Sequence, residues 1–345
     1  MSESHHRWAW RSWLVSVLAV VGLGLGLGLG AVPASASPSI PQPPLDLAAQ
    51  VAPQVVNIST KFGYNNAVGA GTGIVIDPNG VVLTNNHVIS SATDINAVDV
   101  GNGQSYAVDV IGYDRTADIA VLQLRGAAGL PTAAIGGGVS VGEPVVAMGN
   151  VGGQGGAPDV VSGKVLGLNQ SVSATDTLTG ANESLGGLIH SDTPIKPGDS
   201  GGPLVNSAGQ VVGVNTAATD NYKMSGGQGY AIPIGRAMGV AGQIRSGAGS
   251  NTVHVGPTAF LGLGVSGDGG GARVERVVNT GPAGGAGISP GDVITGVDGV
   301  PINGATGMTE VLVPHHPGDT IAVHYRAADG GDRTANITLA EGPPA

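Results

Sequence analysis

The chain has 345 residues, with 14 Lys and Arg against 24 Asp and Glu and no cysteine. This length leaves room for two folded domains and a linker. The net charge of −10 and the lack of a basic block argue against a nucleic-acid-binding protein. The 62 glycines follow no G-X-Y period and 41% of the residues are hydrophobic, which excludes a collagen-like or disordered chain.

The N-terminal segment 1–36 predicts an export signal. Two arginines precede an apolar run at 13–29, and Ala34 and Ala36 form an A-x-A cleavage pattern. An uncleaved membrane anchor is the alternative, because the apolar run can nearly span a bilayer. Repeated Leu-Gly pairs lower its helix propensity, which favours cleavage and a secreted or periplasmic protein. Two domains of this size can fold without disulfides in such a compartment.

The rest of the chain predicts β-structure in two units. Short β-branched runs such as "GIVID", "GVVLTN", "IAVLQL" and "PVVAMGN" alternate with Gly, Asn and Asp turns, which is typical of antiparallel barrels or sandwiches. Proline-rich residues before Leu47 predict an extended tether. A helix is predicted at 234–245, before a Gly- and Ser-rich linker. The predicted units are the tether 37–46, a first domain 47–246, a linker 247–256 and a second domain 257–345.

The motif "IKPGDSGGPLV" contains a candidate nucleophile, Ser200. We expect Gly198 to allow a turn that directs backbone N–H groups toward a developing oxyanion, and Gly201 and Gly202 to permit close backbone approach. Taken alone, the motif is also compatible with a Gly-rich β turn. A serine nucleophile also needs a base and an acid elsewhere in the chain.

His87 and Asp118 are the candidate partners. His87 ends the run "VVLTNNHVIS", where an asparagine pair breaks the strand alternation. Asp118 begins the apolar strand in "YDRTADIAVLQL", where a carboxylate needs a donor such as a histidine Nδ1–H. Asp114 is the rival acid, but it stands in a polar turn where we expect it to be solvated. The order His87, Asp118, Ser200 is that of the chymotrypsin-type triad.

These motifs resemble a known family in both order and spacing. "TNNHVI", "DIAVLQL", "GLIHSDTPIKPGDSGGPLV" and "GYAIP" resemble the trypsin-like Deg/HtrA serine proteases, and "FLGLGV", "GPAGGAGISPGDVITGVDGVPI" and "HHPGDTIAVHYR" resemble their PDZ domain. The likeness covers about residues 47–340. The Gly-rich character and the "GDSGGP" form are most similar to secreted mycobacterial members of that family.

The resemblance implies a mainly β protein. Its fold would be a chymotrypsin-like double β-barrel with the active site between the barrels, followed by a PDZ domain, a small β-barrel with helices. It also implies ATP-independent cleavage of unfolded or exported proteins, with no cofactor and no metal. His87, Asp118 and Ser200 would be catalytic, and the backbone at Gly198 and Ser200 would form the oxyanion hole. A peptide-binding scaffold with a relic protease domain is the alternative function.

Two features depart from the family pattern. Most members carry Asn before the serine, whereas this chain has Asp199. In chymotrypsin-like zymogens the matching acid pairs with a newly cut N terminus, and none is evident here. We therefore expect an internal cation or backbone donors to neutralise Asp199. Family members often trimerise through N-terminal aromatic residues, which this chain lacks, so that monomer and trimer both remain open.

The resemblance also places two binding sites. The substrate pocket would be walled by the residues before the serine and by the strand after it, namely Thr193, Ile195, Asn215, Thr216 and Ala217. These positions carry no carboxylate, so small or medium apolar P1 residues are expected.

In the PDZ domain, Phe260, Leu261, Gly262 and Leu263 would form a carboxylate-binding loop for peptide C termini, with Leu261 and Leu263 lining the apolar pocket. The peptide would add a strand beside residues 263–265, against a helix at 306–313. The alternative is that "FLGLGV" is simply an inner strand of a small barrel.

Overall fold

The computed structural model describes residues 43–64, 66–175, 182–216, 228–267 and 270–345. The predicted export signal and the first part of the predicted tether lie outside this set. Helix α1, Pro43–Val51, begins inside the predicted tether, before Leu47. Across the described ranges, no helix is long and apolar enough to cross a membrane. The prediction of a mainly β protein is confirmed.

Six of the described strands close the first barrel, in the order β5-β4-β1-β2-β3-β6 with β6 returning to β5. A one-turn helix, α2, Asn86–Ile89, follows β3. Buried β-branched and leucine side chains fill the barrel, as the alternating runs of the sequence require. The strands are β1 Val55–Phe62, β2 Ala67–Asp77, β3 Val81–Thr84, β4 Asp94–Asp99, β5 Ser105–Asp114 and β6 Ile119–Leu124.

The second barrel closes in the order β10-β11-β12-β9-β8-β7, with β10 pairing β7. Its strands are β7 Pro144–Gly149, β8 Asp159–Thr175, β9 Asn182–Ser191, β10 Pro203–Asn206, β11 Val211–Thr216 and β12 Gly229–Pro233. Helix α3, Ile234–Arg245, follows β12 and buries Ile234, Ala237, Ala241 and Ile244 along one face. That face packs into a core built from strands of both barrels. The two barrels are therefore joined by a shared apolar core.

The predicted linker contributes a strand of its own. Strand β13, Val253–Val255, pairs antiparallel with the end of β5. The ring of His254 in this strand stacks between Tyr113 of β5 and His316, at centroid distances of 5.1 Å and 5.2 Å. The segment expected to be a flexible linker is thus partly a paired strand.

The C-terminal unit is a small β-domain with two short helices. Its main sheet has the order β15-β16-β17-β19-β20, with β18 beside β17, while β14 pairs with β21. Strand β15 lies at the edge of its sheet, as peptide addition would require. The elements are β14 Thr258–Phe260, β15 Leu263–Gly267, β16 Ala272–Val277, α4 Pro282–Gly285, β17 Val293–Val297, β18 Val300–Pro301, α5 Gly304–Leu312, β19 Thr320–Arg326, β20 Asp332–Thr338 and β21 Ala340–Gly342.

Candidate active site

His87 and Asp118 meet at one end of the first barrel. His87 Nδ1 lies 2.9 Å from Asp118 Oδ2 and 3.1 Å from Oδ1. The backbone N–H of His87 also donates to Oδ1 at 3.0 Å. Because a carboxylate can only accept hydrogen bonds, Nδ1 carries the ring proton and Nε2 is left as the basic nitrogen. The geometry therefore sets the tautomer that a general base requires.

Asp118 is held in a tight turn. It is 7% exposed and has φ +53, a left-handed backbone conformation that is uncommon for residues other than glycine. Its carbonyl accepts from Asn85 Nδ2 at 2.9 Å, and its Oδ2 accepts from Thr216 Oγ1 at 3.2 Å. These contacts fix the carboxylate opposite the histidine.

Asp114 has a structural role that the sequence did not predict. It is 6% exposed, so the expectation of a solvated carboxylate is wrong. Its Oδ1 accepts from the Thr116 N–H at 2.9 Å, the Thr116 hydroxyl at 2.7 Å and the Ala117 N–H at 3.0 Å. Asp114 thereby builds the turn that presents Asp118, because short acidic side chains readily accept from the backbone N–H groups that follow them.

Ser200 lies on the turn between β9 and β10 and is 4% exposed. Its carbonyl accepts from the Thr72 N–H of β2 at 2.8 Å. On the other side, Gly201 N–H donates to Asn215 O at 2.9 Å and Asn215 N–H donates to Gly202 O at 2.8 Å. The turn is thus clamped between a strand of the first barrel and a strand of the second.

Two carbonyl groups of this turn are held by backbone donors: Pro197 by the Gly152 N–H at 3.0 Å and Asp199 by the Gly202 N–H at 3.0 Å. In a planar trans peptide, the N–H points opposite to the carbonyl of the same unit. The directions of the Gly198 and Ser200 N–H groups are therefore fixed by these bonds. Preorganised backbone donors of this kind are what an oxyanion hole requires.

Two positions of the turn require glycine for steric reasons. Gly198 has φ +103, and a Cβ there would collide with the carbonyl of Asn150. Gly201 has φ +82, and a Cβ there would collide with the carbonyl of Thr72. Only glycine fits both the conformation and the space at these two positions.

Asp199 is buried beside the turn, with 2% exposure. Its Oδ2 accepts from the Lys196 N–H at 2.8 Å, whereas its Oδ1 has no hydrogen-bond partner among the described residues. Burial raises the pKa of this carboxyl to about 6; the Lys196 N–H lowers the pKa and the charge of Asp159 raises it further. We expected an internal cation or backbone donors to neutralise Asp199. Among the described residues, a backbone donor binds one of its two oxygens.

The predicted pocket residues divide into two groups. Asn215 donates its side chain to the carbonyls of Met148 and Pro203, at 3.3 Å and 3.0 Å, and so braces the barrel. Thr216 contacts the acid, as described above. Both side chains are therefore occupied away from a pocket.

The remaining pocket positions lie before the serine. Thr193 is 1% exposed and its hydroxyl lies 2.6 Å from that of Ser191, while Ile195 is half-buried against the core of the second barrel. Ala217 lies outside the described residues. Among the predicted pocket residues, those before the serine are thus the described candidates for the pocket wall.

Thr72 and Asn150 were missed by the sequence analysis. Thr72 is fully buried; its hydroxyl donates to Gly198 O at 2.7 Å and accepts from the Asn150 N–H at 2.9 Å. Asn150 Oδ1 in turn accepts from the Gly155 N–H at 2.8 Å. The available signal was a threonine inside the glycine-rich strand "GAGTG", where a buried hydroxyl needs a partner.

A groove of about 550 Å³ opens beside Gly198. Its walls come from β1, β2, β4 and the segment that carries Gly152. The lining is largely apolar and backbone, and its side chains include Ile58, Lys61, Val68, Ala70, Val98 and Pro197. Such a groove has room for an extended polypeptide leaving the serine.

The predicted PDZ loop has fixed carbonyl groups as well. Leu261 O accepts from the Ala283 N–H at 3.0 Å, and Gly262 O accepts from the Val278 N–H at 2.9 Å. The N–H groups of Gly262 and Leu263 therefore point the opposite way, as in an anion-binding nest. Gly262 has φ +83, and a Cβ at this position would lie too close to the backbone of another turn.

Two side chains of this loop differ from expectation. Leu261 is 3% exposed and belongs to the core of the domain, so that Leu263, which is half-buried, is left to line a pocket. Phe260 stacks on Tyr64 of the first barrel, with ring centroids 5.6 Å apart and an interplanar angle of 7°. Phe260 therefore contacts the other domain rather than a pocket.

Comparisons with known proteins match this architecture. The trypsin-like peptidase domain family matches residues 71–214 and the PDZ domain family matches residues 259–339. Serine protease PepD of Mycobacterium tuberculosis is 37% identical over 332 residues, covering 89% of this chain and 69% of PepD. The chain belongs to the Deg/HtrA family of trypsin-like serine endopeptidases. The expected family, enzyme class and domain types are thereby confirmed.

Two further comparisons involve serine endoproteases. A probable periplasmic serine endoprotease DegP-like of Pseudomonas savastanoi pv. phaseolicola is 36% identical over 243 residues, covering 67% of this chain and 48% of that protein. A solved structure of the serine endoprotease from Yersinia pestis is 29% identical with a TM-score of 0.47, and the match covers 86% of this chain and 97% of that one.

Proposed function

We propose that this Deg/HtrA protein is an exported serine endopeptidase that cleaves unfolded or exported proteins, with His87, Asp118 and Ser200 as its catalytic triad. The observation that carries the proposal is the pairing of His87 Nδ1 with Asp118 at 2.9 Å, in a chain whose Ser200 lies on a turn with fixed peptide planes. A relic scaffold would have no need of either arrangement.

The geometry supports acyl transfer in two steps. Ser200 Oγ attacks the scissile carbonyl carbon while its proton passes to His87 Nε2. The carbonyl oxygen becomes an oxyanion that the N–H groups of Gly198 and Ser200 stabilise. His87 then gives the proton to the leaving amine, and the C–N bond breaks to leave an acyl-enzyme. Water, deprotonated by the same nitrogen, releases the acid product.

The groove beside Gly198 supports an endopeptidase and an extended substrate. A bond inside a chain can be cleaved only if there is room on both sides of the serine. The groove supplies about 550 Å³ of that room on one side. A chain that fills both sides must be extended, which favours unfolded substrates. The periplasmic relatives support export to the periplasm or beyond.

The PDZ domain would capture peptide C termini. The N–H groups of Gly262 and Leu263 provide the anion nest, and β15 offers an unpaired sheet edge next to it. Helix α5 packs against β15 and overlaps the predicted wall at 306–313. A bound peptide could in this way bring a substrate chain to the protease or change its activity.

One experiment tests the proposed function. The purified protein is incubated with an unfolded protein substrate beside Ser200→Ala, and Ser207→Ala serves as the matched control because Ser207 is exposed on the β10–β11 turn. Internal fragments from the wild type and from Ser207→Ala, with none from Ser200→Ala, are expected. Equal fragmentation by all three proteins would refute the nucleophile, and release of single terminal residues would refute an endopeptidase.

A further inference from the structure

The last residues of the chain lie on the first barrel. The Pro344 carbonyl accepts from the Ser91 N–H at 2.6 Å, and the Ala345 carbonyl accepts from Asn86 Nδ2 at 3.0 Å. Ala345 also packs against the core of that barrel, to which Tyr113 belongs. Residues 344 and 345 are here called the tail.

These contacts flank the catalytic histidine. Asn86 is the residue before His87, and Ser91 follows the end of α2. A one-turn helix is barely stable by itself, because nucleation fixes several residues for one hydrogen bond. The N-cap residue, Asn85, makes no side-chain capping bond. Ser91 has φ +63, a left-handed conformation that is uncommon for a residue other than glycine.

The Asn86 end of the tail contact is buried, whereas Ser91 is exposed. Asn86 is 6% exposed and Tyr113 is 1% exposed. An amide donor at such a depth loses its hydration when it is covered, and removing its acceptor would cost more than an exposed hydrogen bond is worth. The tail therefore contributes to the position of α2 rather than resting on it loosely.

The tail is tied to the PDZ domain by its own strand. Residues 340–342 form β21, which pairs with β14 immediately before the PDZ loop. β14 is thereby linked to the segment that leads into the tail. A short path from the PDZ loop to the histidine helix runs through this strand pair and the tail.

We propose that the tail is a positioning element for His87: by holding Asn86 and Ser91, it fixes α2 so that the imidazole keeps its alignment. This role rests on the proposed catalytic function of His87. It makes the C-terminal end of the PDZ domain part of the protease site, through main-chain carbonyls that require no particular side chain.

The test uses two changes made from opposite sides of the contact. Asn86→Asp keeps the size of the side chain but removes the donor, and a shortened chain that ends at Gly342 removes the acceptors. Asn336→Asp, on the exposed face of β20, is the matched control. A displaced catalytic group lowers turnover, so kcat is expected to fall about 10-fold or more in both variants with KM nearly unchanged.

A spectroscopic readout separates positioning from stability. The low-field proton signal of His87 Nδ1–H, bonded to Asp118, should broaden or shift in both variants and stay unchanged in Asn336→Asp, while melting temperatures change little. Wild-type kcat and an unchanged signal in Asn86→Asp would overturn the proposal even if the shortened chain fails to fold. If the wild type itself cleaves no better than Ser200→Ala, the proposed function fails instead.

Discussion

Thr216 Oγ1 donates to Asp118 Oδ2 across 3.2 Å, although the two residues lie in different barrels. The carboxylate also accepts from the backbone N–H and the ring of His87. Asp118 is therefore held by a strand of the second barrel as well as by the helix of the first. The acid of the proposed triad is a point at which the two barrels are locked together.

We expect Thr216→Val to lower kcat/KM by about 10-fold, since one hydrogen bond to a buried charge is worth roughly 1.5–3 kcal/mol. The substitution preserves shape, so the fold should persist. Asp118→Asn should cost far more, about 10⁴-fold, because it reverses the histidine tautomer. Steady-state kinetics on one peptide substrate compares the two variants, and an equal loss in both would contradict this ranking.

Asp199→Asn should stabilise the protein above about pH 6. Burial raises the pKa of Asp199 to about 6, from 3.8. Between these two pKa values, the folded state holds a proton that the unfolded state has released. The free energy of unfolding therefore falls as the pH rises from the lower value to the higher one. The variant should lack this loss and gain up to about 3 kcal/mol at neutral pH.

Urea unfolding of both proteins in the Ser200→Ala background, at about pH 4 and about pH 8, measures the difference. The gain should be confined to the higher pH. Asp94→Asn, which removes an exposed carboxylate paired with Lys61, is the control and should show no such gain. An equal gain at both pH values would mean that the charge of Asp199 is not its source.

Gly198→Ala should abolish most activity. A Cβ at this position meets the carbonyl of Asn150, so the peptide plane that presents the Gly198 N–H must move. Loss of one oxyanion donor typically lowers kcat by about 10²–10³-fold. Gly137→Ala is the control, because a Cβ there has no neighbour within 4 Å. Full activity of Gly198→Ala would argue that this N–H does not stabilise the oxyanion.

Cleavage should follow small or medium apolar residues such as Ala, Val and Leu. The described segment before the serine offers Thr193 and Ile195, and no carboxylate stands at those positions to pair with a cationic side chain. An unpaired P1 cation would lose its hydration without compensation. Sequencing the products of a peptide library tests this, and dominant cleavage after Arg or Lys would refute it.

Peptides with a free C-terminal carboxylate should bind the full-length Ser200→Ala protein about 10-fold or more tightly than their amides, since an anion nest loses charge-assisted bonds. Calorimetry with an apolar-ending peptide makes the comparison. Gly262→Ala should weaken binding, because Gly262 has φ +83, and Gly285→Ala should not. Equal affinities for acid and amide would exclude the carboxylate loop.

The sequence predicted the parts of this protein that are local. His87, Asp118 and Ser200 stand in short motifs that, together with their order, indicate a triad, and β-branched alternation predicted antiparallel barrels or sandwiches. Thr72 could not be assigned a role, because the carbonyl that it binds is 126 residues away in the chain. That contact exists only after both barrels have closed, and no local pattern encodes it.

Short strands were the second feature that could not be predicted from the sequence. Val253–Val255 lies among Gly, Ser and Asn residues that favour a loop, and only its pairing with β5 makes it a strand. Asp114 was misjudged for a related reason: its neighbours in sequence are polar, but the fold buries the turn that they form. In both cases tertiary packing overrode a correct local preference.

The pairing of β13 with β5 has a consequence for the protease domain by itself. Cutting the chain at residue 246 would remove β13 and leave the backbone of Gly112, Tyr113 and Asp114 as an open strand edge. Open edges recruit other chains, and this one would also uncover the ring of Tyr113. A protease domain cut before the linker would accordingly be prone to self-association, because strand β13 of the linker covers this edge in the intact chain.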